Sequence, residues 1–494
     1  MRFDITRWSR CTALVASLFW IGGCSFAPSY VQPAQPVPAT YQGFTQEQGG
    51  SIARIGWHEF FQDPELRSLI ETALHNNRDL RVATARIAEA RASWRVEGAS
   101  LYPQLNAVGS GTRGKSVISL PQLGTQNYDI KQVTGQLSAS WEIDFWGKLR
   151  NLRAAAQNRY LATEEGRRAV ATDLVAQVAN GYLLEREYEE REALAIKTIA
   201  TREESLRIMR RRYEVGSGAK LDMSQAQMLL AQAQTVLHQL KQDRGVNRNA
   251  LALLVGNQVE IAPGRPGLAG AEPGVVLPVG LTSDLLVNRP DIVAAEYQLR
   301  EANANIGAAR AAFFPNVSLT GSFGTGNSSL DGLFQPGSRI WAFNPTISVP
   351  LFNAGRLAAE RDVAKARQVG AVANYEKTVQ GAFRDVSDAL IRRQELSAQI
   401  ATTQIMLDAL RERARLAQLR YDNGRSTYLE ILDAQRDLFE TEQGLVQLRR
   451  AHLASGVALY AALGGGFVGA GDSVAPNTAS QPSAPATPHQ TGAE

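Results

Sequence analysis

Apolar residues recur at alternating gaps of three and four along one stretch in the C-terminal half of the chain. The positions are Val372, Tyr375, Val379, Ala382, Val386, Ala389, Arg393, Leu396, Ile400, Thr403, Leu407, Leu410, Ala414, Ala417 and Tyr421. Only Arg393 and Thr403 break the apolar character of this heptad seam. The pattern predicts a long helix with one buried face, as in a coiled coil.

Proline and glycine set the bounds of this helix. Proline is absent between Pro350 and Pro476, so the backbone can continue as a helix to Asn423-Gly424, where glycine can adopt the left-handed conformation that ends helices. The predicted helix, Arg356 to Tyr421, would be about 100 Å long. Taken alone, this segment is equally compatible with a coiled-coil dimerisation rod.

The same order of patterns occurs twice, roughly 210 residues apart. Matching features are Asn77-Arg78-Asp79-Leu80 with Arg289-Pro290-Asp291-Ile292, Pro103 with Pro315, Tyr213 and Gly216 with Tyr421 and Gly424, Ala226-Gln227 with Ala434-Gln435, and Gly256 with Gly464. Each copy is predicted to contain a first helix, a β-hairpin, a long helix and a return helix. The predicted helices are Leu66 to Leu101, Lys148 to Arg212 and Leu221 to Leu254, then Leu285 to Phe313, Arg356 to Tyr421 and Tyr428 to Leu463.

Alternation of apolar and polar residues predicts the strands. The clearest runs are Val133 to Phe145, Val317 to Phe323 and Ile347 to Leu351, with a weaker partner for the first at Gln104 to Arg113. The connecting segments Gly114 to Gln132 and Asn327 to Ala342 contain many small polar residues, and we expect them to be exposed loops.

Strands of about ten residues are long enough to cross a membrane when tilted. Four such strands cannot close a barrel, because membrane barrels use at least about eight and an open edge in lipid leaves backbone groups unpaired. Membrane strands would therefore require a barrel shared between chains. The alternative is a soluble sheet of two hairpins, but Trp141, Ile143 and Phe145 on one apolar face favour the membrane.

The N-terminus has the organisation of a lipoprotein signal. Arginines precede an apolar run from Cys11 to Ile21, which is too short to span a bilayer. Ile21-Gly22-Gly23-Cys24 resembles a bacterial lipobox, in which the cysteine becomes the lipidated first residue of the mature chain; the alternative is an ordinary signal with a chance cysteine. Lipidation would explain why Cys24 remains as a single thiol in an oxidising compartment. Ser25, where inner-membrane lipoproteins usually have aspartate, indicates the outer membrane.

These patterns divide the chain into six segments. They are a signal peptide (1–23), a lipid-anchored, proline-rich tether (24–56), a first repeat (57–256, hairpin 103–145), an equatorial linker (257–284), a second repeat (285–464, hairpin 315–352) and a tail expected to be disordered (465–494).

Charge and motifs argue against several functions. A net charge of +4 over 494 residues does not indicate a nucleic-acid partner. The five histidines lack metal-ligand spacing, and neither Gly-x-Ser-x-Gly nor His-Glu-x-x-His occurs, so we predict no metal site and no enzymatic activity. Gly109 to Ser116 fits the P-loop pattern, which normally leads into a helix. Here Val117 to Pro121 cannot extend a helix, and we expect an exposed hairpin tip instead.

Acidic residues follow both turn glycines. Asp222 lies six positions after Gly216, and Glu430 lies six after Gly424, with Asp433 one helical step further. Singly, such residues are typical of a solvated surface. In a closed oligomer each would be repeated as a ring, and rings of carboxylates favour cations.

Four longer stretches together resemble one family. They are Trp57 to Ala90, Leu277-Pro278-Val279-Gly280-Leu281 through Arg289-Pro290-Asp291-Ile292, Pro350-Leu351-Phe352-Asn353-Ala354-Gly355-Arg356, and Tyr428-Leu429-Glu430-Ile431-Leu432-Asp433-Ala434-Gln435-Arg436. From Cys24 to Gly464 the chain resembles the outer membrane factor (TolC-like) family, and within it the lipoprotein branch that serves resistance-nodulation-division efflux systems. Val279 and Asn288 depart from the commonest residues of the second stretch.

The resemblance implies a mixed α and membrane β fold. The expected assembly is a homotrimer whose twelve-stranded barrel in the outer membrane is continuous with a long periplasmic tunnel of coiled-coil helices. The expected partners are a periplasmic adaptor (membrane fusion protein), an inner-membrane resistance-nodulation-division pump and outer-membrane lipid.

The resemblance also assigns roles by position. Tyr421 would take part in a closed-state lock, and Asp222, Glu430 and Asp433 would form an acidic constriction. The turns that dock the adaptor would be Val215-Gly216-Ser217 and Asn423-Gly424-Arg425. Family members often have arginine where this chain has Ser426, and Arg425 lies one position earlier, so the polar lock is expected to be wired differently.

The expected function is a passive exit duct in the bacterial outer membrane for small toxic compounds such as antibiotics. It would need no cofactor besides the covalent lipid on Cys24. Alternatives are a duct of the same fold for secreted proteins, which the lipoprotein signal disfavours, a lipoprotein coiled-coil scaffold without a pore, and a P-loop NTPase.

Overall fold

The computed structural model describes residues 25–38, 40–41, 55–120, 124–262, 268 and 289–465. The predicted signal peptide, Cys24, most of the predicted linker and the tail from residue 466 lie outside these ranges. Within them, the helices are α1 (Trp57–Phe60), α2 (Pro64–Asn76), α3 (Arg78–Ala99), α4 (Lys148–Glu214), α5 (Lys220–Val255), α6 (Pro290–Ala311), α7 (Arg356–Asp422) and α8 (Tyr428–Ala462). The strands are β1 (Gln104–Leu120), β2 (Gly124–Ile143), β3 (Asn316–Asn327) and β4 (Arg339–Ser348).

The chain divides into two compact units. The first combines Met1–Ala39, Arg78–Val170 and Leu286–Arg384 and contains the sheet. The second combines Thr40–Asn77, Ala171–Leu285 and Asp385–Glu494 and contains the turns that follow α4 and α7.

The four strands form one antiparallel sheet in the order β1-β2-β3-β4. One face is apolar and exposed: Leu137 lies opposite Phe323, which lies opposite Trp341, and these side chains are 50%, 57% and 74% exposed. The adjacent positions Ser138 and Ser322 pair on the other face, because successive side chains alternate along a strand. The sheet therefore has one polar and one apolar surface, as the alternation predicted.

The first hairpin is longer than predicted. The segment Gly114 to Gln132, expected to be an exposed loop, largely continues both strands, and Lys115 lies opposite Asp129. The prediction is wrong because small polar residues do not prevent antiparallel pairing, which is made by the backbone. The β-branched residues Val117 and Ile130 also favour strands.

The last strand is shifted toward the N-terminus relative to the predicted Ile347 to Leu351. It ends at Ser348 and contains Pro345, which lies opposite Leu319. Proline has no N–H to donate and is tolerated mainly on outer strands, and β4 is an outer strand of this sheet.

Both long helices are continuous, as predicted, and each contains 67 residues.

The prediction of a single helix from Leu66 to Leu101 is wrong, because the backbone leaves the helical conformation at Asn77 (φ −57°, ψ 133°). The buried Asn77 side-chain amide donates a hydrogen bond of 2.8 Å to the carbonyl of Leu254. This long-range contact accompanies a break that local periodicity does not show.

The heptad seam is confirmed. Every seam position of α7 is buried or half-buried, with Tyr375 and Val386 fully enclosed. Even the two polar members, Arg393 and Thr403, are half-buried.

Residues 25–32, in the segment predicted as a tether, contact α6, α7 and neighbouring residues of the first unit. The ring of Phe26 stacks on Phe314 with centroids 4.4 Å apart. Tyr30 donates a hydrogen bond of 3.0 Å to the Glu296 carboxylate on α6. Burial, with the help of Glu296, raises the pKa of the Tyr30 hydroxyl to about 12. Phe26 and Tyr30 thus hold the start of the predicted tether through their side chains.

Three consecutive charged residues of α4 are buried in the second unit: Glu185, Arg186 and Glu187. Their partners are Arg244 and Arg248 for Glu185, Glu65 and Glu189 for Arg186, and Arg191 and Arg450 for Glu187. Consecutive residues of a helix point in different directions. Neighbouring segments therefore enclose α4 on several sides at this level.

Among the described helices, none combines the length and the apolar character needed to cross a membrane.

Replacing Gly256 by alanine should destabilise the second unit. Gly256 ends α5 with φ +72°, and a Cβ there would lie 2.8 Å from the carbonyl oxygen of Asn76. We expect a loss of about 2 kcal/mol or more in unfolding free energy. Thermal unfolding of the purified protein measures it. The matched control is Gly245→Ala, in the same helix with open space around it, which should be neutral or stabilising. Equal effects of both changes would contradict this account.

Candidate functional site at the two helix turns

The turns after α4 and α7 have the same backbone hydrogen bonds. In the first, Gly216 N–H donates to Tyr213 O (3.0 Å) and Ser217 N–H donates to Arg212 O (2.9 Å). In the second, Gly424 N–H donates to Tyr421 O (2.9 Å) and Arg425 N–H donates to Arg420 O (2.8 Å). These pairs form the Schellman motif, which requires a left-handed residue, and the two glycines have φ of +78° and +68°. Two glycines thus end two long helices in the same way.

The predicted docking turns are exposed but internally bonded. Val215 is 61% exposed, and Gly216, Ser217 and Gly424 are also at the surface. The Asn423 side-chain amide donates a 2.7 Å hydrogen bond to the carbonyl of Leu419, which holds the second turn against its helix. Each turn therefore presents a defined shape to a partner.

An apolar cluster of residues from α4, α5, α7 and α8 lies behind the turns; we call it the tip cluster. Its buried members are Met209, Ala226, Leu229, Ala417, Tyr428, Ile431, Leu432 and Ala434. Tyr421, Met223, Leu206 and Ala414 are half-buried against it. The cluster joins the ends of four helices, so the predicted site residues are held by a common core.

Tyr421 lies between this core and the surface. Its hydroxyl accepts a 3.3 Å hydrogen bond from Arg212 and donates to the sulfur of Met209 at 3.6 Å. Its ring lies 5.4 Å from the ring of Tyr428, and the Arg212 guanidinium carbon lies 5.5 Å from its ring centroid. The residue predicted for the lock thus bridges two helix ends.

Two of the predicted acidic residues, Asp222 and Glu430, lie in the first turns of the return helices, and Asp433 lies one turn further along α8. Asp222 and Glu430 each occupy the third position of their helix, where the positive end of the helix dipole favours a carboxylate. Arg420 lies 3.4 Å from Glu430, and Arg436 lies 3.6 Å from Asp433. The carboxylates of Glu430 and Asp433 are therefore each balanced by an arginine of the same chain. The sequence alone did not indicate these pairs.

Tyr428 and Arg202 are further components that the sequence did not single out. Burial raises the pKa of the Tyr428 hydroxyl to about 12; Tyr421 and Asp222 add to the rise and Arg202 opposes it. Burial lowers the pKa of Arg202, whose guanidinium donates a 2.6 Å hydrogen bond to Leu229 O. The available signal for Tyr428 is its place as the first residue of the helix that carries Glu430, whereas the repeat gives none, because α5 begins with Lys220.

The structure does not support the nucleotide-binding alternative. Gly109 to Ser116 lies inside β1 and not at the hairpin tip that we expected. A P-loop must lead into a helix whose N-terminus holds phosphate, whereas this segment continues as a strand.

No cluster of potential metal ligands occurs among the residues that the structure covers.

Comparison with known proteins gives concordant results. The family model described as outer membrane efflux protein matches residues 69–257 and 281–465. The cation efflux system protein CusC of Escherichia coli (strain K12) is 39% identical over 462 residues, which cover 92% of this chain and 98% of CusC. The solvent efflux pump outer membrane protein SrpC of Pseudomonas putida is 42% identical over 460 residues, which cover 91% of this chain and 97% of SrpC.

Solved structures show the same similarity. A crystal structure of CusC has a TM-score of 0.82 at 39% identity and covers 90% of this chain and 100% of the CusC chain. The open state of the MtrE outer membrane channel of Neisseria gonorrhoeae has a TM-score of 0.80 at 36% identity and covers 90% of this chain and 99% of MtrE. The family consists of channels and not of enzymes. With a family match over most of its length, the chain belongs to the outer membrane efflux protein family and is an efflux channel protein of the outer membrane.

Proposed function

We propose that three copies of this chain form the exit duct of a tripartite efflux system. The observation that carries the proposal is the four-stranded sheet, whose apolar face is exposed at Leu137, Phe323 and Trp341. Exposed apolar surface of this extent on a sheet is suited to lipid. Three chains with four strands each would supply 3 × 4 = 12 strands, and closure would pair the outer edges of β1 and β4. The barrel would continue into a periplasmic tunnel of helices.

The two turns are the proposed docking sites for a periplasmic adaptor. Val215, Gly216 and Ser217 form one exposed turn, and Asn423, Gly424 and Arg425 form the other. The internal hydrogen bonds of each turn preorganise its shape, which lowers the entropic cost of binding. An inner-membrane resistance-nodulation-division pump would then drive export through the assembly.

Tyr421, Asp222, Glu430 and Asp433 are the proposed gate residues. In a trimer each acidic residue would be repeated three times around the axis, and such rings favour cations. The arginines next to Glu430 and Asp433 would moderate this charge. Tyr421 would lock the closed state through its contacts with Arg212 and the tip cluster.

The proposed cargo is small toxic compounds. CusC is named for cation efflux and SrpC for solvent efflux. The acidic gate favours cationic members of the class, including metal ions and amphipathic antibiotics.

A covalent lipid on Cys24 is the proposed anchor in the outer membrane. Ser25, the next residue, donates a hydrogen bond of 3.1 Å to the side-chain oxygen of Asn151, at the start of α4. Together with the stacking of Phe26 on Phe314, this contact would hold the acyl chains close to the first unit.

Deleting the gene should increase susceptibility to the exported compounds. We expect lower minimal inhibitory concentrations for some antibiotics, detergents or metal ions, because export across the outer membrane would be lost. Reintroducing the wild-type gene should restore the minimal inhibitory concentrations. Unchanged susceptibility to all three classes, together with a purified protein that is a monomer or dimer without conductance in bilayers, would instead support the scaffold alternative.

Replacing Asp433 by alanine should raise single-channel conductance or reduce block by divalent cations. The reason is the loss of one carboxylate ring, and we expect the conductance or the divalent-cation block to change about twofold. Planar-bilayer recording of the purified protein measures both quantities. Asp408→Ala is the control, because Asp408 is an exposed residue of α7 with Arg411 as its neighbour. An Asp433 variant that behaves like wild type would remove Asp433 from the gate.

Replacing Cys24 by alanine should abolish acylation. Cells grown with radiolabelled palmitate should label the wild-type protein and the Cys11→Ala variant, since Cys11 would leave with the signal peptide. Retained label in the Cys24→Ala variant would refute the lipobox interpretation.

A further inference from the structure

All the basic residues of the four strands lie on the apolar face of the sheet, the face that carries Leu137 and Trp341. Side chains two positions apart point to the same side of a strand, and directly paired residues share a face. Lys131 is thus in series with Leu137, Arg113 is paired with Lys131, and Arg339 is in series with Trp341. We call this set the basic rim, and its members are Arg113, Lys115, Lys131 and Arg339.

Along the first hairpin, the apolar face changes character at one level. On β2 the uncharged positions of this face are Ile143, Trp141, Ala139, Leu137, Gly135 and Val133. On β1 they are Leu105, Ala107, Gly109 and Gly111. The next pair on the same face is Arg113 with Lys131, so both strands become charged at the same step. Since α3 and α4 join the opposite ends of these strands, this pair lies at the end farther from the helices.

The length of the uncharged stretch matches the thickness of a membrane. Ile143 and Val133 are ten residues apart on β2, which corresponds to roughly 33 Å along an antiparallel strand. At the tilt of about 40° that is typical of membrane barrels, this length rises about 25 Å, which is the height of their apolar band. Lys131 and Arg113 therefore follow at the level where hydrocarbon would end and lipid headgroups would begin.

The positive charges of the rim are poorly neutralised by the chain itself. Arg113 lies directly opposite Lys131, and like charges at directly opposite positions destabilise a strand pair. Asp129, opposite Lys115, is the acidic residue of the strands on this face, whereas Glu142 lies on the polar face. Among the residues that the structure describes, Arg113 and Lys131 have no ion-pair partner. An anion from outside the chain would relieve this repulsion.

Arg339 has the placement expected of an arginine at a membrane boundary. Its guanidinium carbon lies 5.9 Å from the centroid of the Phe323 ring, on the apolar face. The residue is nevertheless exposed. Long basic side chains at membrane boundaries place their apolar stems along hydrocarbon and keep the charged group at the polar headgroups.

We propose that the basic rim binds the phosphate of anionic lipid headgroups at the membrane surface farther from the helices. The rim continues a face suited to acyl chains, which a soluble anion would not need. Closure of a barrel pairs strand edges, so a neighbouring copy would leave this face open to lipid. The inference rests on the proposed duct function and adds to it the class of lipid that surrounds the barrel.

Tryptophan fluorescence of the purified full-length protein in lipid vesicles tests the rim. Acyl chains of a lipid held at Lys131 would extend past Leu137 towards Trp341, so bromine atoms on those chains would quench Trp341. The Trp141→Phe background leaves Trp341 as the tryptophan of the strands on this face. Quenching by brominated phosphatidylglycerol in unlabelled phosphatidylcholine, compared with the reverse labelling, gives the relative affinity for the anionic lipid.

Wild type should prefer phosphatidylglycerol, and the preference should fall about fivefold for each of the changes Arg113→Gln and Lys131→Gln. Asp129→Asn, which removes a negative charge from the same face, should raise the preference. Sodium chloride should weaken the preference by screening, and inorganic phosphate at the same ionic strength should weaken it equally.

A matched control moves the charge to the other face. Thr112 and Gln132 are paired on the polar face, one position from Arg113 and Lys131. In the Arg113→Gln, Lys131→Gln background, adding Thr112→Lys and Gln132→Lys restores the net charge and should not restore the preference for phosphatidylglycerol.

The outcomes separate the rim from the duct. No preference in wild type, a preference restored by the polar-face lysines, or no increase with Asp129→Asn would overturn the rim. So would stronger competition by inorganic phosphate, which would indicate a site for a free anion, or a changed oligomer size with unchanged preference, which would indicate a contact between copies. If brominated phosphatidylcholine fails to quench Trp341 in the Trp141→Phe protein, the apolar face is not in lipid and the proposed duct fails. Quenching without a preference between the lipids rejects only the rim.

Discussion

The two-faced sheet is the constraint on which the rest of this protein depends. Its apolar face needs lipid or protein to cover it, and its outer strands β1 and β4 have edges whose backbone groups need partners. A chain with four strands cannot meet both needs alone. In the proposed duct, association of several chains would meet both needs, and the polar face, with Ser138 and Ser322, would line the interior.

At the other functional region, backbone and side chains have separate roles. Gly216 and Gly424 produce the same turn twice because both supply the left-handed conformation of a Schellman motif. Arg212 and Arg420 then make the two turns different, since one contacts the opposite hairpin and the other its own. A repeated scaffold thus carries an unequal set of side-chain contacts.

Charged residues also determine how α4 is surrounded. Burying Glu185, Arg186 and Glu187 would be costly if they were unpaired, but each has an arginine or glutamate partner. Removing one partner would leave a buried charge, so these pairs restrict which neighbours α4 can have. Charged residues are seldom buried, so the sequence gives no reason to place these three in the interior.

The sequence by itself determined the features that depend on local periodicity and backbone chemistry. The heptad seam and the absence of proline predicted α7, the turn glycines predicted its end, and alternation predicted the apolar face of the sheet. Intrinsic preferences of neighbouring residues are sufficient for each of these.

The tertiary structure alone decided what depends on residues far apart in the chain. Asn77 breaks a predicted helix next to a hydrogen bond with Leu254, 177 positions away. Tyr421 accepts a hydrogen bond from Arg212, 209 positions away, a contact that no local pattern indicates. Backbone pairing extended the first hairpin through a segment in which many residues are small and polar. Local sequence patterns reflect the conformational preference of a segment. These contacts, in contrast, exist only after folding has brought distant segments together.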